Sequence, residues 1–238
     1  MILIAIPTYK RIKKLQRLLR SLERQTYKDW EAVAIVDNND MDTVVDLKYL
    51  SGHIKVLVQP EHKFVIGAWN RAIKEVFDLG SYNYFCGLCD DVELEPDTLE
   101  QAVKKHKQNF LDGDGVIGLN QDCPGHPNYT FKWFGQTLMG RKFIRRYGDN
   151  DLCCPDYKHF YQDEEMWEFA KSNGLIAICP EALIHHYHPS FILDEVDETH
   201  GIIRIGPKSP KDHDIKMRAE RKARNYLWGR DFNLVGEL

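Results

Sequence analysis

Apolar residues fall in short blocks along this chain, and polar clusters close them. "ILIAIP" (2–7) predicts a buried strand stopped by Pro7. Ile12, Leu15, Leu18, Leu19 and Leu22 recur at helical spacing within 12–26, with lysines and arginines between them. "WEAVAIVDNND" (30–40) and "IKVLVQP" (54–60) predict two more strands, and "IGAWNRAIKEVFDLG" (66–80) predicts a helix closed by Gly80. The run from Tyr84 to Cys89 predicts a strand that ends in Asp90 and Asp91, with Glu93, Glu95 and Asp97 beyond. A helix from Pro96 to Phe110 and a strand "GVIGLN" (115–120) follow.

Strands alternating with helices predict an α/β fold, a mostly parallel sheet flanked by helices. The second half is less regular. Residues 121–150, rich in Gly, Pro, Asn and aromatics, predict loops with a small antiparallel portion. "DEEMWEFAKSNG" (163–174) predicts a helix stopped by Gly174, and 175–189 predicts a strand, a Pro-marked break and a second strand. The stretch from Lys208 to Arg230 is basic and predicts a helix. No repeat or linker divides the chain, so a single domain is expected.

Composition narrows the class. At 238 residues and 43% hydrophobic the chain can bury a real core. No apolar run approaches the roughly 18 residues of a membrane span. "MILIAIP" is too short, and lacks the basic lead, for a signal-peptide core, so it is read as the first strand. A net charge of −4 gives no global case for nucleic-acid binding. Cys86 and Cys89 form a CxxC inside a predicted strand, and no second CxxC completes a zinc set. Buried, reduced thiols of a cytoplasmic protein are the expectation.

Open α/β sheets bind ligands outside the carboxyl ends of their strands. Three polar clusters fall there: Thr8–Tyr9–Lys10–Arg11, Asp37–Asn38–Asn39–Asp40 and Asp90–Asp91. Adjacent carboxylates repel unless a cation or solvent intervenes. Hard oxygen ligands with open positions suit Mg2+ or Mn2+ carrying a phosphate-bearing substrate. A solvated turn ahead of a helix, with Asp97 near its N-cap, accounts for the same residues without a ligand.

Taken in order, "IAIPTYKR", "VAIVDNND", "IGAWNRAI" and "LCDDVELEPDTL" resemble the family 2 glycosyltransferases of the GT-A fold. "PDYKHFYQDEEMWEFAKSNGLIAICPEALIHHYHPS" resembles that family's later segment, so the resemblance runs from Ile2 to Ser190. It implies a nucleotide-sugar donor bound by residues 1–120, an acceptor-binding and catalytic half over 121–205, and a basic tail over 206–238. Pro7, Thr8 and Tyr9 match the nucleoside-contacting segment, with Tyr9 against the base. Asp37 and Asn38 match the base-reading pair, and Arg11, Gly67, Asn70 and Asp90 complete the implied donor-binding set. Asp91 matches the metal ligand. His186 matches a histidine near the diphosphate, and His188, two residues on, shares its strand face. Asp163 matches the base that takes the acceptor's proton, with Glu164 in reserve. A helix-terminal role, favoured by the dipole, remains open for Asp163, as packing does for Tyr9 and for the histidines.

The chain departs from the family pattern in four places. Asn38 stands where some UDP-sugar enzymes carry Asp, which leaves UDP and dTDP both open. Trp69 replaces an Arg and is read as helix packing. Cys89 takes the first position of the usual D-x-D, a poor ligand for a hard cation. Gln162 replaces the carboxylate before Asp163. Tyr129, Phe131, Trp133 and Phe134 offer faces for sugar rings or for a core. The basic tail offers a membrane surface, an anionic acceptor or nucleic acid a contact, though a solvated basic helix is the preferred reading.

The resulting expectation is an inverting, Mn2+- or Mg2+-dependent transferase moving a sugar from a UDP- or dTDP-sugar to a hydroxyl, on a glycan. The rivals are transfer to a hydroxymethylated base in DNA, and a non-catalytic nucleotide-sugar-binding protein in which Cys89 and Gln162 mark lost activity.

Overall fold

The computed structural model describes residues 1–48, 54–129, 133, 135–148, 151–204 and 209–224. Its first half comprises β1 (Ile2–Thr8), α1 (Ile12–Glu23), β2 (Trp30–Asp37), α2 (Met41–Lys48), β3 (Ile54–Gln59), α3 (Phe64–Ala72), β4 (Tyr84–Gly87), β5 (Val92–Leu94) and α4 (Thr98–Asn109). The second half adds β6 (Val116–Asp122), β7 (Thr137–Gly140), α5 (Arg141–Tyr147), α6 (Gln162–Ser172), β8 (Ile176–His186), α7 (Glu198–Arg204) and α8 (Pro210–Ala223).

β1 pairs in parallel with β2 on one side and with β4 on the other, and β3 extends the parallel set beyond β2. Its side chains alternate between two cores. Ile2, Ile4 and Ile6 pack with Leu15, Leu18 and Leu22 of α1, while Leu3 and Ala5 pack with Trp69, Ala72 and Phe77. Burial on both faces is why β1 reads as an unbroken apolar run. Beyond β4 the sheet turns mixed. β7 runs antiparallel to both β4 and β6, β8 runs parallel to β6, and β5 closes the edge antiparallel to β8. The eight strands stand in the order β3-β2-β1-β4-β7-β6-β8-β5.

The break foreseen at Pro180 is a bulge within one strand. Leu119 of β6 lies opposite Cys179 and Asn120 lies opposite Leu183, so Pro180, Glu181 and Ala182 drop out of the ladder. Proline has no N–H to give to a ladder, and the Pro180 carbonyl is taken instead by Asn120 Nδ2 at 2.9 Å. Past the bulge, β8 delivers His186 opposite Val92 and His185 opposite Glu93.

Three other expectations are corrected. The helix predicted over 66–80 is α3 followed by a π-turn at Ile73–Phe77. α5, within the stretch read as loops, is a helix whose buried face is Phe143, Ile144 and Tyr147. The basic tail helix, α8, is not simply solvated. Asp214 on it is buried and accepts the backbone N–H groups of Lys158, His159 and Phe160 at 3.0, 2.8 and 2.8 Å. Arg221 is buried against Glu165 of α6.

The α6 boundary follows the sequence, with Gly174 taking φ 67°, the left-handed turn that ends helices. All six cysteines are free, and five of them are buried. Among the described residues no helix is long and apolar enough to cross a membrane.

Candidate functional site

The three polar clusters converge as the parallel topology requires. A cleft of about 180 Å³ opens at the strand ends. Pro7, Thr8, Tyr9 and Arg11 reach it from β1, Asp37 from β2, and Cys89, Asp90 and Asp91 from β4. His186 and His188 come in at the end of β8.

At one end stands Asp37, 2% exposed. Gln59 Nε2 donates to its Oδ1 at 2.6 Å, and His62 Nδ1 contacts its Oδ2. Tyr9 tilts against the His62 ring with centroids 5.4 Å apart. Asn38 is exposed and does not line this cleft; its backbone N–H donates to the Gln59 carbonyl at 2.9 Å. The partners that sequence reasoning missed are therefore Gln59 and His62. Gln59 was legible in principle, because it lies opposite Asp37 in the β2–β3 register.

Gly67 and Asn70 lie on α3, away from the cleft. Asn70 gives both halves of its amide to Cys153, donating to its carbonyl and accepting from its N–H, each at 2.7 Å. It clamps the 151–154 segment to α3, with both amide atoms turned to Cys153. Trp69 packs as expected: it is buried, and a Cβ at Gly87 would stand 2.7 Å from its ring.

At the other end Asp90 and Asp91 are both buried. Each oxygen of Asp90 has a protein partner. Thr8 Oγ1 donates to its Oδ2 at 2.8 Å and Arg11 Nη1 donates to its Oδ1 at 3.2 Å. Burial, reinforced by the Asp91 charge, outweighs Arg11 and Thr8 and pushes its pKa up to about 6. For Asp91 burial also pulls upward, but His186 and the Arg11 charge prevail and hold it well below the usual carboxylate range. Asp91 is 5% exposed and its Oδ1 makes no hydrogen bond; His186 Nε2 stands 3.2 Å away, off the hydrogen-bonding angle.

Ligand atoms of Cys89, Asp91 and His186 all lie within 4.8 Å of one another. His186 is oriented from behind, its Nδ1 2.7 Å from the Tyr129 hydroxyl and 3.2 Å from Gln121 Oε1. His188 lies outside that group. Its ring centroid is 5.1 Å from that of His186, its Nδ1 accepts the Ser190 N–H at 3.1 Å, and burial pushes its pKa down to about 4. The structure thus gathers Asp91 and His186, leaves His188 beside them, and adds Cys89. Tyr129 is taken up in holding His186, while Phe131 and Phe134 lie outside the described residues.

A strap unmarked in the sequence rims the cleft. Asp197 accepts Arg11 Nη2 at 2.9 Å and pairs with Lys14 at 2.9 Å, and Glu195 pairs with Lys14 and Arg17, each at 3.0 Å. Thr199 Oγ1 donates to the Tyr9 carbonyl at 2.9 Å. His200, Ile203 and Arg204 of α7 thereby line the cleft.

Asp163 lies in the first turn of α6 and lines a separate small cavity with Trp69, Gly87 and Gln162. Gly87 borders this cavity and Cys89 the main cleft, so the end of β4 divides the two. The helix dipole was expected to favour the ionised form of Asp163. Burial outweighs the backbone N–H groups at the helix start, and its pKa is raised. Glu164 is ion-paired with Arg218 of α8.

The family model for glycosyl transferase family 2 matches residues 3–160. Solved structures share the fold. A TarS fragment from S. aureus, residues 1–349, superposes with a TM-score of 0.62 at 15% identity, covering 84% of this chain and 67% of that one. The same fragment in complex with UDP gives 0.60 at 14% identity, covering 77% of this chain and 59% of that one. GalNAc-T7 with UDP, GalNAc and Mn2+ gives 0.61 at 14% identity, covering 78% of this chain and 43% of that one. At such identities the likeness is one of fold, a GT-A sheet, and the chain spans less than two thirds of the last two structures. No curated protein matches the chain in sequence. The family match runs from within β1 to just short of α6 and takes in every strand end that opens on the cleft except that of β8: the chain belongs to glycosyl transferase family 2.

Proposed function

We propose that this protein moves a sugar from a uridine- or thymidine-diphosphate sugar to a hydroxyl on a glycan, with inversion at the anomeric carbon and with a divalent cation bound. The observation that carries the reading is the pairing of Asp37 and Asp91 at opposite ends of one cleft, with the buried Asp91 Oδ1 making no hydrogen bond. The UDP held by a TarS structure and the UDP and Mn2+ held by GalNAc-T7 support it by analogy of fold.

The chemistry follows from the residues. Asp37 keeps lone pairs beyond those given to Gln59 and His62 and accepts the base's ring N–H. Tyr9 and Pro7 bound the space around the nucleoside. The residues fit a divalent cation, because a buried, ionised Asp91 oxygen faces His186 Nε2 with no hydrogen bond between them. Asp91 and His186 would hold that cation, which when bound supplies positive charge to the departing diphosphate. Arg11 adds a fixed charge beside Asp90. Asp163 is the proton acceptor for the incoming hydroxyl. Burial that raises its pKa strengthens it as a base and moves it toward the operating pH. Taken as the single base, Asp163, in the cavity across the end of β4 from the cleft, implies one displacement, hence inversion.

A glycan is favoured over a DNA base because Arg218 and Arg221 of the basic tail are committed to Glu164 and Glu165. The six free cysteines favour a cytoplasmic setting. Thermal unfolding with UDP-, dTDP- and GDP-sugars, each with and without Mn2+, tests the proposal. A ligand that binds only the native state raises its stability. A cation-dependent rise with UDP- or dTDP-sugar is expected; no rise with any of the three would refute it.

A further inference from the structure

The donor atoms around Asp91 do not suit a hard cation. Asp90, the neighbouring carboxylate, has one oxygen on Thr8 and the other on Arg11. That leaves Asp91 as the carboxylate facing the gap, with its buried Oδ1 unbonded and His186 Nε2 at 3.2 Å. The Tyr129 hydroxyl and Gln121 Oε1 both reach His186 Nδ1, at 2.7 and 3.2 Å, and hold the ring with Nε2 toward Asp91. A buried imidazole nitrogen and a buried carboxylate oxygen this close together are two ready ligands for one cation. The third atom of the group is sulfur: Cys89 Sγ lies within reach of Asp91 and His186 and accepts an N–H from Gln136 Nε2 at 3.0 Å.

We propose that this centre selects Zn2+ over Mn2+ and Mg2+, with Cys89, Asp91 and His186 as its three protein ligands and the remaining position open to a diphosphate oxygen. The inference rests on the donor-binding reading above and goes further, to the identity of the cation. Mg2+ demands six oxygens in near-octahedral array and gives up water reluctantly. One sulfur, one nitrogen and one oxygen with an open position form the donor pattern of a catalytic zinc site. Cys89 binds as thiolate, and its proton is released to solvent as the cation enters. Tyr129 and Gln121 fix the imidazole so that Nε2 faces the gap, the support a metal-binding histidine requires.

The test is direct binding to the chelator-stripped full chain. Mg2+, Mn2+, Zn2+ and Co2+ are titrated singly by calorimetry, and the Co2+ complex is followed by absorption. Zn2+ is expected to bind tighter than Mn2+ by on the order of 100-fold, with a thiolate-to-cobalt charge-transfer band in the Co2+ complex. Cys89→Ser, close in size, should lose the band and shrink the Zn2+/Mn2+ ratio at least about tenfold. His186→Gln should weaken Zn2+ binding while the far-UV spectrum stays native. The other cysteines are present in both forms, so the difference reports Cys89 alone. An unchanged band and ratio in Cys89→Ser would overturn the inference. Zn2+ binding that is lost in Asp91→Ala but indifferent to Cys89 would overturn it too, while leaving the donor-binding reading intact. No divalent cation bound, with UDP present or absent, would sink both.

Discussion

Arg221 Nε donates to Glu165 Oε2 at 2.7 Å, in an ion pair that joins α8 to α6 with Glu165 0% and Arg221 8% exposed. Arg221→Ala leaves a carboxylate buried without its cation, which costs about 3–5 kcal/mol. Urea unfolding should show that loss, whereas Glu165→Met combined with Arg221→Met should recover most of it. A loss below about 1 kcal/mol would place the pair in solvent.

Asp37 and Asn38 should separate sharply. Asp37 faces the cleft and Asn38 faces solvent. Asp37→Ala is expected to weaken uridine diphosphate binding at least about tenfold, the loss of one charge-assisted hydrogen bond. Asn38→Asp is expected to leave the order of uracil, thymine and cytosine nucleotides unchanged. A competition assay in which Asn38→Asp reorders them would return that residue to the site.

His106 carries a pH dependence. It is fully buried, its Nε2 is 3.1 Å from the Gly115 carbonyl, and its Nδ1 has no hydrogen-bond partner. Burial lowers its pKa, because a second proton on Nδ1 would be an unsolvated charge. The unfolded chain takes that proton first as pH falls below about 6.5, so the unfolded state binds more protons there and stability falls with pH. His106→Gln lacks this contribution. Its stability should therefore decline less steeply than that of the wild type between about pH 7 and 5. Equal slopes would show that His106 protonates freely in the fold.

Local pattern and global geometry explain which parts of the fold and site the sequence disclosed. The apolar runs of β1 and β2 and the polar residues closing them sufficed to place Thr8, Asp37 and Asp91 at one cleft, since parallel strands bring their carboxyl ends together. Asn70 misled because a motif records order and not direction: on α3 it turns to Cys153. The 193–204 strap carries no apolar period, and its hold on Arg11 and Lys14 spans most of the chain, a pairing that no local pattern encodes. Ligand hardness alone argues against Cys89, and only the fold shows His186 arriving beside it past the Pro180 bulge.

Asp163→Asn keeps the shape of the side chain and removes its basicity. If Asp163 takes the acceptor's proton, turnover should fall by about 100-fold or more, with donor affinity unchanged. The raised pKa adds a second readout: the wild-type rate should climb as Asp163 ionises, at a pH above the ordinary carboxylate range. Near-wild-type transfer by the variant would reduce Asp163 to a helix-start residue.

Most direct is the equilibrium affinity of the wild type and Asp91→Ala for uridine diphosphate, each with saturating divalent cation and with chelator. The account predicts that chelation weakens wild-type binding at least about tenfold, and that Asp91→Ala binds at the weakened level under both conditions. A wild type indifferent to chelation, or an Asp91→Ala protein that keeps the full cation-dependent gain, would contradict it.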